Sequence, residues 1–385
     1  MKKINILFDY NQKSYLESQK GDYIHAYNLS KNLSKRVNLY GIRYKSNPKK
    51  IQFETKTKYP ARLYLNFLPT IVNSFIQFLA VIIYNLKIDL VYVRTAYNLT
   101  NRLGYWYSKI FRKPLIIEIN GIRWDEEDKW VYHNNIVRKS ILKKYEKADK
   151  IICVSQSIKK ELLKYLKYPK EKIIVINNGV DENIFKPIKT NILKEEKGII
   201  INKKIITFVG AIEKWQGLDI LIDIAEYFNK VNYKEDILFL IVGDGNYMEA
   251  IKKKIKENNL GKYFYFTGKV SQKEAVEYIN MGDLCISPFV KKRKASPIKI
   301  FEYLSCGKKV VSSKIQDVID LKLDDGIIYA EPGNVNSFVR VIKKGLNTKE
   351  DANQIKHNRQ LILENYTWEK TSGKVYREII KTINK

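Results

Sequence analysis

The sequence predicts an α/β protein of two domains, each a parallel sheet wound with helices. Three observations carry that expectation. Short β-rich runs alternate with stretches of helical periodicity along most of the chain, the pattern of βαβ units. An aspartate stands just before a short buried run three times over, in IDLVYVRT, ADKIICVS and GDLCISPF. The chain's 385 residues suffice for two or three domains that each bury a core.

The elements can be justified in order. KINILFDY alternates as a strand. A polar loop leads to GDYIHAYNLSKNL, a helix opening at Gly21 and Asp22, and VNLYGIRY is the next strand. Residues 45–60 are lysine-rich and irregular. An apolar helix is expected over Leu63 to Leu86, but Asn73, Ser74, Gln77 and Asn85 interrupt it, so it reads as packed or membrane-touching rather than spanning. IDLVYVRT, PLIIEINGIRW, ADKIICVS and KIIVINNGVD then read as buried strands. Their ends carry Arg94, then Glu118, Asn120 and Gly121, then Ser155, then the Asn178-Gly179 turn. Ligands of parallel sheets bind beyond the carboxyl ends of the strands, where these polar residues fall. Residues 183–203 read as a connector. A second series follows: KIITFVGA ending at Gly210, a helix from near Gly217, DILFLIVGDG turning at Gly243 to Gly245, YFYFTGKV, the helix SQKEAVEYINMG, and LCISPF ending at Ser287. The two domains are expected to face one another across a cleft. They span residues 1–185 and 186–368, and an amphipathic terminal helix, 369–385, crosses back to the first.

The stretch KASPIKIFEYLSCGKKVVS, from Lys294 to Ser312, reads as loop, helix, tight turn and strand. Ser296 suits the N-cap and Pro297 the first helical position. Ile298, Phe301 and Leu304 mark a buried face, and Gly307 supplies the left-handed residue that ends the helix. Such a helix start offers free N–H groups and a positive dipole end to an anion, phosphate above all. Glu302, one turn deeper, can accept hydrogen bonds from a pair of hydroxyls such as those of a ribose. A capped amphipathic helix with a solvated glutamate would show the same pattern.

Composition narrows the classes. Apolar residues make up 45% and charged residues 29%, ordinary for a globular protein. Cys153, Cys285 and Cys306 are odd in number and far apart, with neither metal-ligand spacing nor a disulfide framework, which suits a reducing compartment. MKKINILFDY has too short an apolar run for a signal peptide and reads as a first strand. The net charge is +29. Residues 1–190 hold 36 Lys/Arg and 16 Asp/Glu, net +20, and the remainder 34 and 25, net +9. Drift toward Lys, Asn, Ile and Tyr explains this asymmetry least well. A field of this sign attracts polyanions or an anionic membrane surface. The basic residues are scattered and no binding module or aromatic RNA motif is recognisable, so nucleic acid is not the expected partner.

In order and spacing, FVGAIEKWQGLDILI, LIVGDG, FYFTGKV, GDLCISPF, SPIKIFEYLSCGKKVV and YTWEK resemble the retaining glycosyltransferases of the GT-B fold, the group called family 4. The first half resembles them more loosely through GDYIHAYNLSKNL, IDLVYVRT, PLIIEINGIRWDEE, ADKIICVSQSIKKEL and IIVINNGVDENIF. The resemblance spans almost the whole chain. It implies two Rossmann-like domains, the first for acceptor and the second for a UDP- or GDP-linked sugar, with no separate cofactor and no metal. On these positions it implies that Glu302 holds the donor ribose and that the backbone around Ser296 and Pro297 holds the diphosphate. It further implies that Gly21 lets the first domain approach that diphosphate, and that Gly243, Asp244, Gly245, Thr267 and Val270 wall the nucleobase.

Three positions depart from the family. Lys294 stands where a sugar-contacting glutamate is common, Ala211 where an arginine is common after Gly210, and Gln216 where a lysine is common. A branch of the family carries this WQG and SPxKxFEYL pattern, so the departures read as variation. Lys214, Lys294 and Lys299 are then the candidates to stabilise charge on the leaving diphosphate. The resemblance also implies retention, with the leaving phosphate taking the acceptor's proton. Arg94, Glu118, Asn120 and His133 are candidates for acceptor contacts, and His25 reads as structural. The acids of DEED, Asp125 to Asp128, read as a solvated turn rather than a metal site. The expected reaction is glycosyl transfer from a nucleotide sugar to a glycan or polyprenyl-linked acceptor, in surface polysaccharide, glycolipid or glycoprotein glycan synthesis. The expected place is the cytoplasmic face of a membrane, held peripherally. A sugar-nucleotide epimerase on the same fold, and a basic nucleic-acid-binding protein, are the alternatives.

Overall fold

The computed structural model describes residues 3–10, 21–42, 79, 82, 87–95, 103–122, 135–190, 203–233, 236–290, 296–348 and 352–384. Lys294, His133, Asp125 to Asp128, residues 45–60 and all of the expected apolar helix except Leu79 and Ile82 lie outside them. Among the described residues no helix is long and apolar enough to cross a membrane. The chain divides into two compact units. One is Met1–Gly179 with Lys294–Ser296 and Trp368–Lys385, and the other is Val180–Arg293 with Pro297–Thr367.

The first unit is built on a six-stranded parallel sheet. Its strands are β1 (Asn5–Tyr10), β2 (Asn38–Ile42), β3 (Leu90–Thr95), β4 (Leu115–Ile119), β5 (Lys150–Cys153) and β6 (Ile173–Val175), in the order β2-β1-β3-β4-β5-β6. Helix α1 (Gly21–Leu33) follows β1, and α2 (Leu103–Ile110), α3 (Asn135–Tyr145) and α4 (Gln156–Leu162) connect the strands from β3 to β6. Side chains alternate across the sheet. Leu7, Val91, Val93, Ile117 and Ile151 face the helices that carry Tyr105, Ile141, Tyr145 and Ile158. Ile6, Phe8, Tyr92, Ile116 and Ile152 face α1 through Ala26, Leu29 and Leu33, together with Trp368, Val375 and Ile379 from the chain's last helix.

The second unit repeats the plan. Its strands are β7 (Lys204–Val209), β8 (Ile237–Val242), β9 (Phe264–Gly268), β10 (Leu284–Ser287), β11 (Val310–Ser313) and β12 (Ile327–Ala330), all parallel, in the order β12-β11-β10-β7-β8-β9. Its helices are α5 (Asp219–Lys230), α6 (Met248–Glu257), α7 (Gln272–Met281), α8 (Ile298–Ser305), α9 (Gln316–Ile319), α10 (Val335–Asn347) and α11 (Ala352–Asn365). α5, α6 and α10 cover one face of the sheet, and α7, α8 and α11 contribute to the other. Val180 and Phe185 are buried in this unit's core. The last helix, α12 (Trp368–Ile383), belongs to the first unit, where Glu369 pairs with Arg36 and with Lys35.

The recurring aspartates have one structural role. Asp89, Asp149 and Asp283 each accept a backbone N–H from the first or second residue of a neighbouring strand, from Asn5 at 2.7 Å, Leu115 at 2.7 Å and Ile205 at 2.8 Å. Each pins the amino end of its sheet and leaves the carboxyl end to carry polar groups for a ligand.

Candidate functional site: the carboxyl ends of the two sheets

In the second unit three glycines let backbone meet backbone where β7 and β8 end. Gly210 has φ 145° and Gly243 φ 127°, a region side chains avoid. A Cβ on Gly243 would lie 2.1 Å from the Gly210 carbonyl oxygen, and one on Gly245 would lie 2.3 Å from that of Ile212. The Gly243 amide donates to the Gly268 carbonyl at 3.0 Å, which ties in the end of β9. The result is a floor of bare backbone.

Helix α8 stands over this floor. The Val209 amide donates to the Tyr303 hydroxyl at 2.7 Å, anchoring the helix to the end of β7. The Lys299 ammonium donates to Gln216 Oε1 at 2.7 Å, and lies 3.8 Å from the Phe208 ring centroid and 5.4 Å from that of Phe289. An aromatic face and an amide oxygen hold the cation by quadrupole and dipole. A Cβ on Gly210 would come within 3.1 Å of that ammonium. The positive charge missing at Ala211 and Gln216 is therefore present at the same strand end, delivered from α8. Lys214, in a single helical turn at Lys214–Gln216, is exposed.

Glu302 is half-buried, and its carboxylate has no hydrogen bond or ion pair among the described residues. Burial pushes the carboxyl up to about 7, with Lys299 pulling the other way. Phe301 and Leu304 are buried as the helical spacing requires, while Ile298 is half-buried and Ile300 and Tyr303 are fully so. Gly307 is left-handed at φ 78°.

The start of α8 differs from the expectation. The helix begins at Ile298, with Pro297 at the cap position (φ −83°, ψ 66°) and no side-chain cap. The buried Ser296 Oγ makes no hydrogen bond. Pro297 lies outside helical ψ, which carries Ser296 one residue too far out for its hydroxyl to cap the first turn. The first-turn N–H groups are thereby left without a side-chain partner.

At the carboxyl edge of the first sheet a second cluster gathers round Glu118, which pairs with Arg94 across β3 and β4. Its Oε1 lies 3.0 Å from His25 Nε2 and 3.2 Å from Arg94 Nε, and accepts from Asn120 Nδ2 at 2.8 Å. Its Oε2 accepts from the Tyr92 hydroxyl. Burial would raise this carboxyl, but His25, Arg94 and Tyr92 outweigh it and hold it at about 2. Glu118 is thus a fixed anion with both oxygens engaged. Asn120 Oδ1, held in place by it, accepts no hydrogen bond. His25 also packs on Trp368, ring centroids 4.9 Å apart.

Two family descriptions match the chain side by side: Glycosyltransferase Family 4 over residues 23–184 and Glycosyl transferases group 1 over residues 189–361. The chain belongs to the group 1 glycosyltransferases. Among its relatives is an uncharacterized glycosyltransferase of Methanocaldococcus jannaschii, 26% identical over 316 residues, 78% of this chain and 77% of the relative. Another is the GPI3 subunit of the phosphatidylinositol N-acetylglucosaminyltransferase of Saccharomyces cerevisiae, 24% identical over 200 residues, 52% of this chain and 43% of the relative. The solved structure of Anabaena HepE in complex with UDP is similar over 99% of this chain and 100% of its own, with TM-score 0.74 at 17% identity. The fold of this glycosyltransferase is accordingly GT-B.

The expected donor residues of the glycosyltransferase fall in two groups. Gly210, Gln216, Lys299, Glu302, Gly243, Asp244 and Gly245 gather where β7, β8 and α8 meet. Thr267 and Val270 flank Gly268, whose φ is 69°. Asp244 is exposed and caps the next amide, accepting from Gly245 N at 2.7 Å. Gly21 opens α1 in the first unit. Of the acceptor candidates the structure brings together Arg94, Glu118 and Asn120. It adds two residues with roles not read from the sequence. Tyr92 is legible in retrospect, since strand alternation puts it on one face with Arg94. Gly217, at φ 75°, presses on Pro288, where a Cβ would lie 1.9 Å from the carbonyl oxygen, and no motif announces that contact.

Proposed function

We propose that this transferase moves a sugar from a nucleoside diphosphate sugar to a glycan or lipid-linked acceptor with retention of configuration. The reaction would take place on the cytoplasmic face of a membrane, in surface polysaccharide, glycolipid or glycan synthesis. The observation that carries the reading is that α8 carries both a half-buried Glu302 carboxylate, without a hydrogen bond or ion pair among the described residues, and the Lys299 ammonium over bare backbone. A carboxylate that accepts from two neighbouring hydroxyls suits a ribose. A fixed cation and the open first turn of a helix suit a diphosphate. HepE's complex with UDP agrees with a nucleotide donor, and the yeast relative's phosphatidylinositol substrate agrees with a lipid acceptor.

The donor's leaving group departs as a diphosphate, and charge grows on the oxygen that was bonded to the anomeric carbon. Lys299 stabilises that charge from a position fixed before the reaction, so the site does not reorganise as the bond breaks. Lys214, in its single helical turn, is proposed as a further contributor, and Lys294 is proposed as one from the sequence. Glu118 is already ionised with both oxygens engaged, so the acceptor's proton passes to the leaving phosphate. Asn120 Oδ1 is the acceptor contact at that edge, positioned by Glu118, with Arg94 on the neighbouring strand, and His133 is proposed as a further acceptor contact from the sequence. From the second unit, Pro297, Asp244, Thr267 and Val270 line the donor in this reading. The test is a panel of UDP- and GDP-sugars in thermal-shift and turnover assays, with the product's anomeric configuration read by NMR. A stabilising donor that yields a retained product supports the reading. Donor turnover without acceptor, giving an epimerised nucleotide sugar, overturns it.

A further inference from the structure

The outer face of α2 matches nothing in the transfer chemistry. Gly104, Tyr105, Tyr107 and Ser108 point into the first unit. Positions 106, 109 and 110, at helical spacing, make the outer face. Trp106 is 44% exposed, Ile110 62% and the following Phe111 38%, three large apolar side chains within six residues. Scattered exposed apolar residues are ordinary, but a contiguous set on one helix and its exit is not. A shallow depression of about 330 Å³ lies at the foot of the same helix, walled by Lys109, Arg112, Lys113 and Lys147, with Asp149 the acid in its lining. Asp149 Oδ2 already accepts the Leu115 amide, while Lys109 and Lys147 are tied by an ammonium-to-carbonyl bond of 2.8 Å. The apolar ridge therefore lies on α2 and its exit, and the cationic depression at that helix's carboxyl end.

We propose that this face docks the first unit onto an anionic lipid bilayer, with Trp106 and Ile110 entering the interfacial layer and the depression taking a lipid phosphate. Charge complementarity selects this occupant. The depression carries four cations against one engaged acid, and residues 1–190 carry net +20. Indole and aliphatic side chains beside Lys and Arg suit the headgroup boundary, where a ring has one apolar and one wet side. Helix α2 runs from the carboxyl edge of the sheet back to its amino end, where the depression lies beside Pro114 and Asp149. The Gly104 amide, in the first turn of α2, donates to Asp9 at the carboxyl end of β1, at 2.7 Å. Trp106 thus lies two residues from the edge at which the first sheet would meet its ligand. The inference rests on the membrane reading above and adds the surface responsible.

The experiment uses the full chain with vesicles of phosphatidylcholine alone, or of phosphatidylcholine with about one third phosphatidylglycerol, in flotation and partition assays. Two variants are compared with wild type: Trp106→Gln with Ile110→Gln, and Lys109→Gln with Arg112→Asn and Lys147→Gln. Asn is chosen at 112 because Arg112 has φ 49°, which Asn tolerates. Wild type is expected to partition onto anionic vesicles and release at high salt. The charge variant should lose about fivefold per cation removed, on the order of a hundredfold in all. The apolar variant should lose about tenfold or more. Both should keep wild-type melting and nucleotide-sugar binding. Wild type that ignores anionic vesicles overturns the membrane reading and this surface together. Wild-type binding that both variants retain in full leaves the membrane reading standing and overturns the surface. Vesicle binding weaker than binding to random-sequence DNA, with the charge variant losing the DNA, overturns the lipid as partner.

Discussion

Replacing Glu302 by Gln should make the ligand-free protein more stable and the donor site useless. Its carboxyl is pushed from an ordinary 4.5 up to about 7. A folded-state value above the unfolded one means the native protein holds the extra proton between those pH values. Stability is therefore undiminished below about 4.5 and falls as pH rises through about 7, above which the full cost of the buried charge is present. The difference of about 2.5 units, at 1.36 kcal/mol each, makes that cost on the order of 3 kcal/mol. Gln keeps the shape and removes the charge. For a domain of this size the variant should melt about 6–12 °C higher than wild type near pH 8.5 and together with it near pH 4.5. The assay is differential scanning fluorimetry across pH, with and without the preferred nucleotide sugar. Donor should raise the wild-type melting point, since hydroxyl donors stabilise the ionised form, and leave the variant's unchanged. Equal melting points near pH 8.5, or a gap that persists near pH 4.5, would refute the reasoning.

Other consequences follow from neighbouring residues. Lys299→Met should cut kcat by about a hundredfold or more through lost charge stabilisation. It should also move the midpoint of donor affinity against pH upward from about 7, because Lys299 pulls the Glu302 carboxyl down; stopped turnover and a pH series of binding isotherms check both. Glu118 is held at about 2 against an ordinary 4.5, so it stabilises the fold above pH 4.5 and loses that contribution as pH falls through 2, on the order of 3 kcal/mol in all. In Glu118→Gln the acid limb of a urea-midpoint profile should flatten over that window, with weaker acceptor binding at neutral pH. Gly243→Ala places a methyl 2.1 Å from a carbonyl oxygen at a positive φ and should cost about 3 kcal/mol or more, read as a lowered denaturant midpoint with donor affinity lost as well.

Much of the fold was legible because buried parallel strands write themselves as short apolar runs, and of the twelve strands among the described residues only β12 was not read that way. The aspartates before IDLVYVRT, ADKIICVS and GDLCISPF were visible as a pattern, but their partners were not. Each bonds an amide at a strand start distant in sequence, which only the sheet order reveals. In α8 the buried face and Gly307 followed from spacing, while the cap did not. A serine before a proline reads as an N-cap, yet Pro297's own ψ displaced it. Lys299 was one of three candidate lysines in the sequence, and Lys294 was the foremost of them. What singles Lys299 out is Phe208 and Gln216, 91 and 83 residues earlier, closing on its ammonium. Glu118 was named as a group that touches substrate, and the structure instead surrounds it with His25, Arg94, Tyr92 and Asn120, a convergence no single motif encodes.

The account stands most directly on calorimetric titration of the preferred nucleotide sugar into wild type and Glu302→Ala near pH 8. It requires saturable binding by wild type and, with two charge-assisted hydrogen bonds gone, an affinity lower by on the order of a hundredfold in the variant. An unchanged dissociation constant would contradict it.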